Sequence, residues 1–209
     1  MTDRSGGMES CRRILHNSGQ RAKESDSCWH GGKTRWRLQN RGGTHMAEER
    51  EENLFGKIVA QLIEKELTIS LMESCTGGYL ASLITDVEGA SGIFYGSCVT
   101  YCNEEKIRQG VSSWVIDTYG VYSEETARAM ATACRTSYCT DIGVGVTGTL
   151  GRKDPKNEDS LRGEIFFAVD WKGNLRSQKL WVKETENRRL AKREVAETVG
   201  FLLERFLMD

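Results

Sequence analysis

Leu67-Thr68-Ile69-Ser70-Leu71-Met72-Glu73-Ser74-Cys75-Thr76-Gly77-Gly78 decides how the chain is read. Its first half is a short β-type run, its second a small polar turn ending in two glycines, and an apolar helical pattern opens at Tyr79. A strand that feeds a tight turn into a helix brings backbone N–H groups and the positive end of a helix dipole to one point. Such a point suits a phosphate, or the oxyanion that forms when an acyl carbon is attacked. Ser74 stands at the strand's end, where it can serve as a nucleophile or simply cap the helix.

Working outward, residues 49–64 form an amphipathic helix with Leu54, Phe55, Ile58, Val59, Leu62 and Ile63 on one face. After the opening turn a helix over 79–86 turns Leu80, Leu83 and Ile84 inward, and a second strand covers 93–101. Short helices follow, one opened by Asn103 as N-cap and one over 114–119 ended by Gly120. Ser123-Glu124-Glu125 starts a helix that runs to about Ser137, with the acidic first turn the dipole favours. Residues 141–146 are a strand flowing into Thr147-Gly148-Thr149-Leu150-Gly151, a second glycine-bearing turn, and then a polar loop over 152–162. Strands at 164–170 and 175–182 flank a hairpin turn in which Gly173 or Asn174 supplies positive φ. A long helix over 186–208 has Leu190, Val195, Val199, Leu202, Leu203 and Phe206 as its core side. Alternating strands and helices followed by a hairpin predict a single three-layer α/β/α domain with a mixed β-sheet.

Charge is unevenly spread along the 209 residues. Residues 1–45 hold nine Lys/Arg against four Asp/Glu, and the remainder holds 20 against 26. A basic, Arg-, Ser- and Gly-rich extension with few aliphatic residues is expected to be disordered, followed by an acidic domain over 46–209. The extension reads as a solvated tail or as sequence upstream of a start at Met46; a nucleic-acid-contacting arm is the minority reading. It lacks the apolar run of a signal peptide, and no later segment is long and apolar enough to span a bilayer, so no membrane association and a cytoplasmic location are expected. Trp114 and the apolar final helix lead to the expectation of a homo-oligomer.

The histidines, His16, His30 and His45, all lie in the extension. A Ser-His-Asp triad, a Cys-His dyad or a His-based metal site therefore has no imidazole to draw on within the domain. Seven cysteines, none in Cys-x-x-Cys spacing, point to reduced and mostly buried thiols rather than zinc pairs or a disulfide framework. The two glycine-bearing turns, 73–78 and 147–151, define a cleft at the carboxyl edge of the sheet. Between them lies Tyr101-Cys102-Asn103-Glu104-Glu105-Lys106. A hydroxyl nucleophile without histidine must take its base from Lys, Asp, Glu or Tyr, and a lysine serves only if its amine is neutral. Lys106 reads as such a base or as a solvated helix lysine; Cys75 reads as a rival nucleophile or as a packed small residue.

Glu73-Ser74-Cys75-Thr76-Gly77-Gly78 followed by Tyr101-Cys102-Asn103-Glu104-Glu105-Lys106 resembles the CinA C-terminal domain family, the nicotinamide-nucleotide amidases, whose usual patterns are E-S-C-T-G-G and V-T-Y-S-N-E-x-K. The resemblance continues through Gly120-Val121-Tyr122-Ser123-Glu124-Glu125, Ala129-Met130-Ala131 and Val146-Thr147-Gly148, and covers residues 54–207. It implies a serine amidohydrolase with a Ser/Lys dyad: Ser74 as nucleophile, Lys106 as general base and Tyr101 in support. Cys75, Thr76, Gly77, Gly78, Asn103, Thr147 and Gly148 would contact substrate. The implied substrate is the pyridine mononucleotide nicotinamide mononucleotide, deamidated to nicotinate mononucleotide in pyridine nucleotide salvage, with no metal and no cofactor. A nucleotide-binding or regulatory domain with little turnover, or an amidase for a related pyridine nucleotide, is the alternative.

One stretch departs from the family. The usual turn reads T-G-I-A-G-P, then a glycine pair and K-P-V-G. Here Thr147-Gly148-Thr149-Leu150-Gly151-Arg152 is followed by the charged run Lys153-Asp154-Pro155-Lys156-Asn157-Glu158-Asp159. The dyad residues are kept while one expected wall of the pocket differs, so the departure bears on substrate identity more than on reaction type.

Overall fold

β1 (Ile69–Glu73) is buried along its whole length because it lies between two parallel neighbours in the middle of the domain. The computed structural model that shows this describes residues 43–151, 153–157, 160–183 and 187–208. The expected basic extension lies outside the described residues up to position 42, as do parts of the charged loop at 152 and 158–159. The unit that carries the sheet is Ala47–Asp209.

β2 (Phe94–Val99) and β3 (Ile142–Gly148) flank β1, and β4 (Glu164–Trp171) and β5 (Asn174–Trp181) extend the sheet antiparallel beyond β3, in the order β2-β1-β3-β4-β5. Two parallel and two antiparallel pairings make it the mixed sheet that the sequence predicts. The helices are α1 (Gly43–Glu64), α2 (Tyr79–Thr85), α3 (Asn103–Arg108), α4 (Ser113–Tyr119), α5 (Glu124–Ser137) and α6 (Arg188–Met208). Period-two alternation sorts the strand side chains between two cores. Ile69, Leu71, Val144, Val146, Phe167 and Val169 face α1, α2 and α6. Met72, Phe166 and Ala168 join the clusters that hold the buried side chains of α4 and α5 on the opposite face. The result is three layers, α/β/α.

β3 shows how composition sets the spacing between layers. Its sequence alternates Ile142-Gly143-Val144-Gly145-Val146. A Cβ on Gly143 would lie 2.1 Å from the Ala131 carbonyl oxygen, and one on Gly145 2.3 Å from that of Ala127. Without those side chains, α5 rests directly on the strand. Ser123 fixes where α5 begins: its Oγ accepts from the Thr126 amide at 3.1 Å, a cap worth about 1 kcal/mol.

Several expected boundaries shift. β2 ends at Val99, because Thr100 makes the last bond, its amide donating to the Glu73 carbonyl at 2.8 Å, before the chain turns into α3. Cys102, not Asn103, occupies the N-cap of α3. β3 runs through Thr147 and Gly148, which pair with Phe166 and Ile165, so the glycine read as a turn is a strand residue. The hairpin turn places its positive φ angles at Lys172 and Gly173 rather than at Asn174. α1 starts at Gly43, six residues before the apolar pattern does. Ile63 and Leu190 are 44 % and 38 % exposed and leave the expected core faces. The final helix spends Val195, Val199, Leu202, Leu203 and Phe206 on the core, so its apolar side is not an open face. Cys75, Cys98, Cys102 and Cys134 are free thiols. No helix among the described residues is long and apolar enough to cross a membrane.

Candidate active site

The chain leaves β1 for β2 on one side and then crosses back to β3 on the other, so the carboxyl end of β1 is a topological switch point. Segments after β1, β2 and β3 converge there around a cleft of about 740 Å³. Ser74 and Cys75 come from the first, Tyr101 to Lys106 from the second, and Thr149, Leu150, Gly151, Asp154, Lys156 and Asn157 from the third.

The turn after β1 is held from behind. Ser74 continues the β1–β3 ladder, its amide donating to the Val146 carbonyl at 3.0 Å, and its own carbonyl accepts from the Gly77 amide at 3.1 Å. Gly77 and Gly78 then take φ of 61° and 90°, a left-handed pair that residues with a Cβ adopt only under strain. This reversal brings the first amides of α2 back to the strand end, where Glu73 meets them. Its buried carboxylate accepts from the amides of Gly78 (3.0 Å), Leu80 (3.1 Å) and Ala81 (2.9 Å), with the Ser97 hydroxyl at 3.4 Å. The seven-residue α2 is thus capped by a side chain of the protein itself, and its N-terminus is not the anion site that the sequence predicts. Ser74 does not cap it either. Among the described residues, no protein oxygen accepts from the amides of Cys75 and Thr76.

α3 brings Lys106 over this turn. Its Nζ donates to the Thr100 carbonyl at 2.8 Å and to Ser74 Oγ at 3.2 Å. Lys106 is 2 % exposed and Ser74 6 %. Burial strips water from the ammonium and lowers the Lys106 pKa to about 8, with Cys75, Cys102 and Asp154 opposing the shift. An amine so placed is neutral in a useful fraction of molecules near neutral pH and can take the Ser74 proton. Burial pushes the Cys75 thiol up to about 12, so it is a packed thiol rather than the rival nucleophile.

The other expected site residues divide. Cys75, Asn103 and Gly148 line the cleft with the dyad. Thr76 is fully buried away from it, and Gly78 gives its amide to Glu73. Gly77 is also absent from the cleft wall. Thr147 is buried with its hydroxyl donating to the Val121 carbonyl at 3.0 Å, because strand alternation turns it toward the helix layer. Tyr101 lines the cleft but is 65 % exposed, and its hydroxyl accepts from Arg188 at 2.9 Å rather than meeting the dyad.

The wall formed by the departing loop holds residues the sequence reading did not single out. Asp154 accepts from the Tyr122 hydroxyl (2.7 Å), the Asn157 side-chain amide (2.5 Å) and the Lys156 backbone amide (2.9 Å). Asn157 in turn accepts from Asn103 at 3.3 Å, tying the loop to the start of α3. The Asp154-to-Lys156 bond is an Asx turn, legible in principle from Asp154-Pro155. Glu73 carried a signal too, an acidic residue just before a helix start. Arg188, from a helix 82 positions beyond Lys106 in sequence, carried none.

A family model described as CinA C-terminal domain matches residues 51–206. A protein of Clostridium beijerinckii named for competence-damage induction is 37 % identical over 152 residues, covering 72 % of this chain and 37 % of that protein. A CinA-like protein of Dictyoglomus thermophilum is 35 % identical over 152 residues, with the same shares. The chain thus spans about 37 % of the length of these curated relatives. Among solved structures, the competence/damage inducible protein CihA of Agrobacterium tumefaciens superposes with a TM-score of 0.70 at 26 % identity, covering 76 % of this chain and 96 % of that one. A CinA superfamily protein of Klebsiella pneumoniae gives 0.71 at 20 % identity, covering 76 % and 98 %, a likeness of fold.

Proposed function

This chain belongs to the CinA C-terminal domain family, and from that premise we propose that it hydrolyses the carboxamide of nicotinamide mononucleotide to nicotinate mononucleotide and ammonia. The observation that carries the reading is the 3.2 Å hydrogen bond between a buried lysine amine and a serine hydroxyl at the floor of the cleft. Neutral Lys106 takes the Ser74 proton as Oγ attacks the amide carbon. The amide of Cys75, beside Ser74 on the cleft wall, receives the oxyanion, such a donor typically being worth about 3 kcal/mol. Lys106, now an ammonium, hands its proton to the departing nitrogen, the C–N bond breaks, and ammonia leaves an acyl-Ser74 ester. Water then repeats the sequence: Lys106 takes its proton, the hydroxide oxygen bonds to the acyl carbon, and the proton returns to Ser74 as the ester opens. The Thr100 carbonyl holds the amine in line with Ser74 throughout both halves.

Arg188 and Lys156 bring cationic side chains to the cleft lining and suit the nucleotide phosphate. Tyr101, through Arg188, then supports phosphate binding rather than the dyad. The charged loop around Asp154 favours, as a second reading, a related pyridine nucleotide as the natural substrate. A cytoplasmic homo-oligomer serving pyridine nucleotide salvage belongs to the same reading, with Trp114, 61 % exposed, available for assembly. A screen of ammonia release from nicotinamide mononucleotide, its riboside and free nicotinamide tests it. The mononucleotide should give the highest kcat/KM; no ammonia from any of the three would remove the amidase reading.

A further inference from the structure

Asp154 is an anion whose hydrogen-bond donors carry no charge. Its three hydrogen-bond donors are a phenol, a carboxamide and a backbone amide, all neutral, and among the described residues no lysine or arginine side chain pairs with it. These contacts keep its carboxyl ionised: burial opposes them, but the bonds from the Lys156 amide, Tyr122 and Asn157, together with the charge of the Lys156 side chain, hold its pKa below the usual carboxylate range. The carboxylate lines the same cleft as Ser74. It is close enough for its charge to act on the Lys106 amine, alongside Cys75 from the turn after β1 and Cys102 from the N-cap of α3. The loop that carries it is anchored at two further points, by the Asp154 amide donating to Ser160 Oγ at 2.8 Å and by the Asn103–Asn157 bond. A tether that needed only an acceptor could use a neutral side chain or a carbonyl. A fixed carboxylate instead sets a negative charge at one place on the cleft wall.

We propose that Asp154 is the specificity determinant for the ring of the substrate, selecting a positively charged N-substituted pyridinium carboxamide over a neutral heteroaromatic or dihydropyridine carboxamide. The proposal rests on the amidase reading of the same cleft and assigns the ring's charge to one wall of it. Tyr122 and Asn157 act as positioning residues, holding the carboxylate in place. Because Asp154 also favours the ammonium form of Lys106, the preference for a cation carries a modest cost in free base at neutral pH, relieved when the carboxylate is neutralised.

The test uses the full chain and two probes of equal phosphate content, nicotinamide mononucleotide with its cationic ring and its 1,4-dihydro form with a neutral one. Binding is measured by calorimetry on the Ser74→Ala protein, with and without Asp154→Asn, which keeps the acceptor and removes the charge. The charge change should weaken the cationic probe about five- to tenfold and the neutral probe less than about twofold, as expected for a partly solvated ion contact. In the Ser74-containing protein, Asp154→Asn should also move the acid limb of kcat/KM to lower pH, a shift that a mere tether would not produce. Equal weakening of both probes, or none of either, would reduce Asp154 to a loop anchor and overturn the proposal. If Asp154→Asn does not fold, a salt series on the Ser74→Ala protein decides: the ratio of the two affinities should fall with ionic strength, and a constant ratio overturns it. Asp154-dependent selection of the cation by a protein that releases no ammonia would sink the amidase reading and leave this one standing.

Discussion

Lys106 Nζ sits 3.2 Å from Ser74 Oγ and spends a second hydrogen bond, of 2.8 Å, on the Thr100 carbonyl, in a site where the lysine is almost wholly buried. The pH dependence of the reaction follows. The base works only as free amine, and burial brings its pKa down to about 8, so kcat/KM should rise through an acid limb centred near pH 8. An acid limb near the ordinary lysine value, or none between pH 6 and 9, would show that Lys106 is not the base.

The same shift has a stability consequence of known sign. A lysine whose pKa is lowered on folding binds its proton less well in the folded state than in the unfolded one. The penalty is therefore complete below about pH 8 and fades as pH rises toward the unfolded value of 10.5. Lys106→Met should stabilise the fold at pH 7 by up to about 3 kcal/mol and by much less above pH 10.5, as read by denaturant unfolding at both pH values. A lower stability at pH 7 would contradict this account of the buried amine.

Glu73 should prove indispensable to the turn. Glu73→Gln places an amide NH₂ among three backbone donors and one hydroxyl, leaving buried groups unsatisfied at a cost of about 2–4 kcal/mol. Thermal unfolding should show the loss, and ammonia release should fall with it because Ser74 is the next residue. A variant with unchanged stability and unchanged rate would mean the turn holds itself.

Two glycines should respond oppositely to alanine. Gly145→Ala drives a methyl group to 2.3 Å from the Ala127 carbonyl oxygen and should cost more than about 2 kcal/mol. Gly56, inside α1, has nothing within 4 Å of its virtual Cβ, so Gly56→Ala should gain about 0.5–1 kcal/mol. Equal effects in denaturant melts would refute the close packing of α5 on β3.

These contrasts also show what was legible in the sequence. The order of elements, the mixed sheet and the paired turns at one sheet edge follow from periodicity and punctuation, and Ser123 announced its cap. Gly148 misled because glycine after a strand reads as a turn. The same lack of a side chain here serves close approach of β4, where a Cβ would lie 2.4 Å from the Glu164 carbonyl oxygen. Leu190 and Ile63 misled because a helical stripe is wider than the face that finally touches the core. Ser74 and Lys106 were legible through their motifs, 32 residues apart. The Tyr122–Asp154–Asn157 wall was not, since it joins residues whose meeting depends on how one loop folds across the cleft.

Tyr101 separates two roles for one hydroxyl. Bonded to Arg188 and 65 % exposed, it should tolerate Tyr101→Phe with kcat changed less than about threefold, while KM rises by up to about tenfold through Arg188. A hundredfold fall in kcat with unchanged KM would place the hydroxyl in the dyad instead.

The central claim is that Ser74 attacks a carboxamide with Lys106 as its base. The most direct measurement is the rate of ammonia release from nicotinamide mononucleotide by the wild-type chain, Ser74→Ala and Lys106→Ala, each checked by circular dichroism for a retained fold. The account predicts steady release by the wild type and at least a thousandfold loss in both variants, of the order seen when a member of a catalytic dyad is removed. Release at near wild-type rate by either folded variant would contradict it.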